Sequence, residues 1–250
     1  SCFLFLKPTL GKSEISLLPQ RLPLNDVEAF FQVPTSVPLR GVVFLAHGCS
    51  HSAGDFWPAS PACSDCLGLP IELQIVRLGL SRGYVMIAVS SHDRRSKCWR
   101  EQDVVPVSLA LRALYATTHL SSPHATTSNT AHQQLPLYLL GASSGGRFVS
   151  LLSQHRELQP LRVSAVCVQI SPPAHPLPPQ IRAPDTPPPT QFVLMDRDQG
   201  LVRWVRSFLE QEGRKEDELL LVFPSAITPQ FFLQHANITI SSSIFQALQR

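Results

Sequence analysis

Ser143 stands at the centre of Gly141-Ala142-Ser143-Ser144-Gly145, directly after the apolar run Leu135-Pro136-Leu137-Tyr138-Leu139-Leu140. A helix-compatible stretch follows, Gly146-Arg147-Phe148-Val149-Ser150-Leu151-Leu152. A G-x-S-x-G run between a strand and a helix places its serine on a sharp turn, with the hydroxyl exposed above the sheet. The small residues two positions to either side let the backbone turn without side-chain clashes. N–H groups at the start of the following helix face any negative charge that develops beside the hydroxyl. The chemistry open to such a serine is nucleophilic attack on an acyl carbonyl, given a base for its proton and donors for the oxyanion. The plain alternative is a glycine-rich loop that closes a strand–helix unit. A dinucleotide-binding turn is disfavoured, because the glycines do not follow G-x-G-x-x-G.

Three further groups could complete such a site. His47-Gly48-Cys49-Ser50 follows the buried run Gly41-Val42-Val43-Phe44-Leu45-Ala46. Met195-Asp196-Arg197-Asp198 closes a later strand, and both carboxylates are candidates there, against the plain reading of turn aspartates near Gly200. His235 lies near the end of the chain, in the apolar setting Phe231-Phe232-Leu233-Gln234-His235-Ala236-Asn237. A lone histidine among apolar residues also fits a purely structural role.

The order serine, acid, histidine, with a strand ending in His-Gly upstream, resembles the α/β-hydrolase superfamily from about Val27 to the last strand. The resemblance implies a serine hydrolase that cleaves a carboxylic ester or related acyl bond through an acyl-enzyme. Ser143 is its nucleophile, and backbone N–H groups of Cys49 and Ser144 hold the oxyanion. His47 braces the loop. The family places its acid in a turn of the form G-D/E-x-D; with Met195 in the glycine position, Asp198 is the match, and Asp185 precedes the strand. The base belongs on a loop after the last strand. His235 is the one histidine after Asp198, so it is the choice by elimination, unless the histidine lies beyond Arg250. The stretch from His47 through Asp55-Phe56-Trp57-Pro58, with Cys98-Trp99 later, resembles a poorly characterised plant-type branch of the superfamily. The rival expectation is a catalytically silent fold that binds a ligand or protein, since fold does not fix function. Acyl transfer to an alcohol would use the same residues as hydrolysis.

The elements that must position these residues read as α/β, a mostly parallel sheet flanked by helices. Strands are expected at Val27–Val33, Gly41–Ala46, Tyr84–Val89, Leu135–Leu140, Arg162–Ile170, Gln191–Met195 and Leu219–Phe223. Helices are expected at Leu69–Leu80, Val104–Tyr115 and Leu201–Glu212, with a terminal one at Ile244–Leu248. Cys2-Phe3-Leu4-Phe5-Leu6 reads as a first strand or the tail of a targeting segment. Thr117–Gln134, rich in Ser, Thr and His, reads as a surface connection. The proline-dense Ser171–Thr190 is stiff and extended. It is too short for a large helical cap, which leans toward an open site for small or flexible acyl esters. Trp57, Phe56 and Trp99 read either as apolar walls of that site or as core, and His175 as a residue of the pocket mouth.

The bulk numbers agree with a single domain over residues 1–250, in a chain that starts at Ser1 and invites the expectation of truncation at either end. The 250 residues suit one sizeable core, and 44% hydrophobic content marks a globular chain. Lys and Arg number 21 against 18 acidic residues, and the basic residues are scattered, which argues against nucleic acid as the partner. No apolar run is long enough for a transmembrane helix. The expected partner is a small acyl substrate, with no cofactor and no metal. Six cysteines do not make a disulfide scaffold at this length. The C-x-x-C of Cys63 and Cys66 has no second pair for zinc. Cys49 and Cys98 are possible partners. One disulfide among Cys63, Cys66 and Cys98 is expected in an oxidising compartment, structural and not part of the chemistry; reduced loop cysteines are the alternative.

Overall fold

The computed structural model describes residues 15–117, 134–175, 177–182, 187–223, 228–230, 233, 239, 241 and 246. Eight strands form one sheet. They are β1 (Gln20–Arg21), β2 (Ala29–Gln32), β3 (Gly41–Ala46), β4 (Tyr84–Val89), β5 (Leu137–Ala142), β6 (Val163–Gln169), β7 (Thr190–Met195) and β8 (Leu219–Val222). Their order is β1-β2-β4-β3-β5-β6-β7-β8. β1 pairs antiparallel with β2 and β2 antiparallel with β4, and every other pairing is parallel. Among the described residues, helices α1 (Pro70–Ser81), α2 (Val104–Thr117), α3 (Ser144–Leu152) and α4 (Gln199–Gln211) lie between the strands.

The central strands are apolar on both faces because both faces are covered. Strand alternation divides β3 cleanly. Val42, Phe44 and Ala46 enter one core with residues of α2, α3 and α4, whereas Val43 and Leu45 enter a second core with Val76 and Leu80 of α1 and with Phe56 and Trp57. Phe56, Trp57 and Trp99 are therefore core residues rather than pocket walls. Trp57 is fully buried, and Trp99 stacks on Phe148 with ring centroids 4.4 Å apart.

The expected strands and helices are present with ends shifted by a few residues. α4 starts at Gln199, ahead of the expected Leu201, because the Asp198 carboxylate caps it by accepting from the Leu201 N–H at 3.1 Å. The two-residue β1 carries no periodic signal and was not expected. The expected strand at residues 2–6, the connection 118–133 and the terminal helix 244–248 lie outside the described residues. Between β6 and β7 the described residues contain no helix and no cap, only extended backbone and turns.

Phe44 sits fully buried on the central strand, edge-on to both Trp99 and Phe148. Phe44→Ala is expected to destabilise the protein by about 3–5 kcal/mol in urea unfolding, the usual cost of emptying a buried aromatic site. A loss under about 1 kcal/mol would mean that the two layers do not pack as described.

Candidate active site

β5 ends at Ala142, and α3 starts at Ser144. Ser143 between them has φ 55 and ψ −122, a conformation that non-glycine residues avoid. Its backbone is nonetheless paired: its N–H donates to Gln169 O at 2.9 Å, and its C=O accepts from Arg147 N–H at 3.1 Å. The glycines around it are required by close approach. A Cβ on Gly141 would lie 2.2 Å from Gly145 O, and one on Gly145 would lie 2.2 Å from Ala46 O and 2.5 Å from His47 O. The turn thus presses directly onto the end of β3. The two serines differ in direction. Ser143 is exposed, while the Ser144 hydroxyl is buried with no hydrogen-bond partner.

The same contact brings the His47–Ser50 turn beside Ser143. A Cβ on Gly48 would lie 3.8 Å from both Ala142 O and Ser143 Cβ. The N–H groups of Cys49 and Ser144, the expected oxyanion donors, are not engaged by any described residue. The turn is fixed from behind. Ser50, at φ 67, donates its N–H to Ser96 O at 2.9 Å, and the Trp99 indole donates to His47 O at 2.8 Å. His47 is buried and neutral. Its Nδ1–H donates to Gly48 O at 2.7 Å, and its Nε2 accepts from Ser91 N–H at 3.2 Å. Burial pushes its pKa from 6.5 down to about 4. With both ring nitrogens occupied, His47 is a brace rather than a proton carrier.

One disulfide forms within the expected trio, and a second joins its third member to a cysteine outside it. Cys63 bonds to Cys66 as a local clip, but Cys98 bonds to Cys49. The Ser50–Ser96 hydrogen bond lays the two turns side by side, which puts Cys98 opposite Cys49 rather than near the C-x-x-C. A disulfide thus secures one of the expected oxyanion residues, so this bond is not remote from the candidate chemistry.

Asp198 follows β7, where the sequence placed it, with one carboxylate oxygen committed to capping α4. Asp196 is pinned through its N–H to Val222 O of β8 at 2.9 Å. His235 lies outside the described residues, as does Asp185. The His175 ring packs on Phe208 of α4, and its Nε2 pairs with Glu212 Oε1 at 3.4 Å. His155 is buried and accepts the Glu157 N–H at the start of a short 3-10 helix. The sequence reading passed over His51, which lies against Gly48 and is bonded to buried Asp55 at 2.7 Å. Its signal was the i, i+4 spacing of the two residues, together with Ser52 three positions before Asp55.

No protein-family model matches the chain, and no curated protein does so either. Solved structures do. The Francisella virulence factor BioJ superposes with TM-score 0.50 at 13% identity, covering 95% of this chain and 83% of its own. Dienelactone hydrolase from Anabaena variabilis gives 0.47 at 17% identity over 93% and 92%. A serine hydrolase without lid from Xanthomonas campestris gives 0.45 at 16% identity over 97% and 95%. At such identities what is shared is architecture. The eight-stranded, mostly parallel sheet with its flanking helices, with no cap among the described residues, is the α/β-hydrolase fold.

Two outcomes are expected. Below about pH 6.5 the unfolded chain protonates His47, while the native chain resists until about pH 4, so stability falls as pH falls through that window. Between pH 7 and pH 5 this one group accounts for ~2 kcal/mol, and His47→Gln should flatten the pH dependence of the urea midpoint by that amount. An unchanged slope would remove His47 as a buried neutral brace. The Cys49–Cys98 bond spans 49 residues. Cys98→Ser should cost about 4 kcal/mol of stability by the chain-entropy estimate. It should also lower kcat for an activated ester toward the roughly 10²–10³-fold of a lost oxyanion donor, with KM little changed. Full kcat in the folded variant would uncouple the bond from the site.

Proposed function

We propose that this chain is a serine hydrolase that cleaves a carboxylic ester or related acyl bond through an acyl-enzyme. The observation that carries the reading is Ser143, exposed at φ 55 between β5 and α3, beside two N–H donors that no described residue occupies. Oγ attacks the acyl carbonyl, and the developing oxyanion faces the N–H groups of Cys49 and Ser144 and the N-terminal end of α3. The serine proton passes to a histidine and from there to the leaving group. Chain order gives His235 as that histidine and Asp198 as the carboxylate that orients it. One Asp198 oxygen caps α4, which fixes the carboxylate in place and leaves the other for the imidazole. Water then attacks the acyl-enzyme and releases the acid. With no cap between β6 and β7 among the described residues, the site favours small or flexible acyl esters.

Ser143→Ala should lower turnover of p-nitrophenyl acetate by at least roughly 10⁴-fold with the fold retained, as expected when the nucleophile of a coupled set is removed. Near-wild-type turnover would refute the assignment. Asp198→Asn should reduce kcat by up to about 10⁴-fold, and Asp196→Asn only slightly, because a triad carboxylate holds the imidazole tautomer. The reverse ranking would make Asp196 the acid.

A further inference from the structure

His51 precedes the nucleophile turn in chain order, whereas the β7–α4 loop follows it, and one nitrogen of its ring has a partner among the described residues. Its Nδ1 bonds to Asp55 Oδ2 at 2.7 Å. Asp55 is buried, and its other contacts are all donors: Ser52 N–H on Oδ2 at 3.2 Å and the Ser52 hydroxyl on Oδ1 at 3.3 Å. The other contacts of the carboxylate are donors, so Nδ1 carries the hydrogen toward it, and the neutral form of the imidazole has its lone pair at Nε2. The His51 side chain is 45% exposed, so Nε2 is not sealed in the core. The ring edge that carries Nε2 lies close to Gly48. A Cβ on Gly48 would lie 3.6 Å from His51 Cδ2, the ring atom bonded to Nε2, and 3.8 Å from Ser143 Cβ. Imidazole and serine thus flank one position that holds no side chain. His47, the other histidine of this turn, is excluded because Ser91 occupies its Nε2.

We propose that His51, oriented by Asp55, is a general base for Ser143, acting from the oxyanion-turn side. The proposal rests on Ser143 being the nucleophile and gives the serine proton to His51 in place of His235, the histidine that chain order assigns. The pairing of a buried carboxylate with Nδ1–H, leaving Nε2 for the serine, is the arrangement that serine catalysis requires. As Ser143 Oγ bonds to the acyl carbon, its proton moves to His51 Nε2, and Asp55 stays ionised. When the carbon–leaving-group bond breaks, the leaving alkoxide takes that proton. Water then adds to the acyl-enzyme, gives its proton to Nε2, and Nε2 returns it to Ser143 Oγ as the acid departs.

The discriminating variant is His51→Asn, whose amide can still donate to Asp55 but offers no base. Stopped-flow kinetics with p-nitrophenyl acetate should show acylation slowed by about 10²-fold or more in His51→Asn and equally in His51→Ala, with both variants folded by circular dichroism. Asp55→Asn should shift in the same direction; if it does not fold, the two His51 variants decide alone. Acylation in His51→Asn within about threefold of wild type would overturn the proposal, because it would leave His51 only a brace for Asp55. The Ser143→Ala arm separates the two levels. Loss in Ser143→Ala with wild-type acylation in both His51 variants removes His51 alone, whereas full turnover in Ser143→Ala removes the nucleophile and the base with it.

Discussion

Ser143 can hold a backbone conformation worth roughly 1–3 kcal/mol of strain only because its surroundings leave the chain no alternative. Three contacts impose it. Gly145 lies against the carbonyls of Ala46 and His47, Gly141 lies against Gly145, and Gly146 lies against Ser171 and Gln169. Each of these approaches is too close for any side chain. The apolar burial of β3, β5, α2 and α3 supplies the free energy that keeps the elements at that distance. What results is a serine whose hydroxyl projects outward while the next hydroxyl, that of Ser144, turns in.

The same approach that strains Ser143 also sets the turn after β3 beside it, and that turn has its own scaffold. A buried neutral imidazole, an indole hydrogen bond and a disulfide all converge on residues 47–50. None of these groups needs to react. Their common effect is to hold backbone N–H groups where charge would appear, which is the kind of preorganisation that costs nothing at the moment of reaction. The α4 cap plays a comparable part on the other side of the sheet end, since it commits one oxygen of Asp198 and thereby the direction of the second.

Much of this was legible from residue order. The runs Gly41–Ala46 and Tyr84–Val89 are strands with those bounds, because a fully buried parallel strand is apolar throughout and ends where polar residues begin. Ser143 was legible because a motif of five residues encodes a local geometry. Long-range choices were not legible. Cys98 pairs across 49 residues with Cys49, beside a hydrogen bond shared by their two turns, and spacing alone does not select that partner. The aromatics at 56, 57 and 99 were ambiguous between wall and core, since both roles demand the same side chain. His51 and Asp55 carried a spacing signal, but it sits in a turn followed by a 3-10 segment, where helical periodicity does not draw attention to it.

The account stands or falls on whether Ser143 is an activated nucleophile. Intact-protein mass spectrometry after exposure to a fluorophosphonate probe, followed by peptide mapping, reads this directly. The account predicts one adduct per chain, located on Ser143 and absent from Ser143→Ala. A folded wild-type chain that takes up no probe, or takes it up at another serine, would contradict it and leave a silent fold that binds rather than reacts.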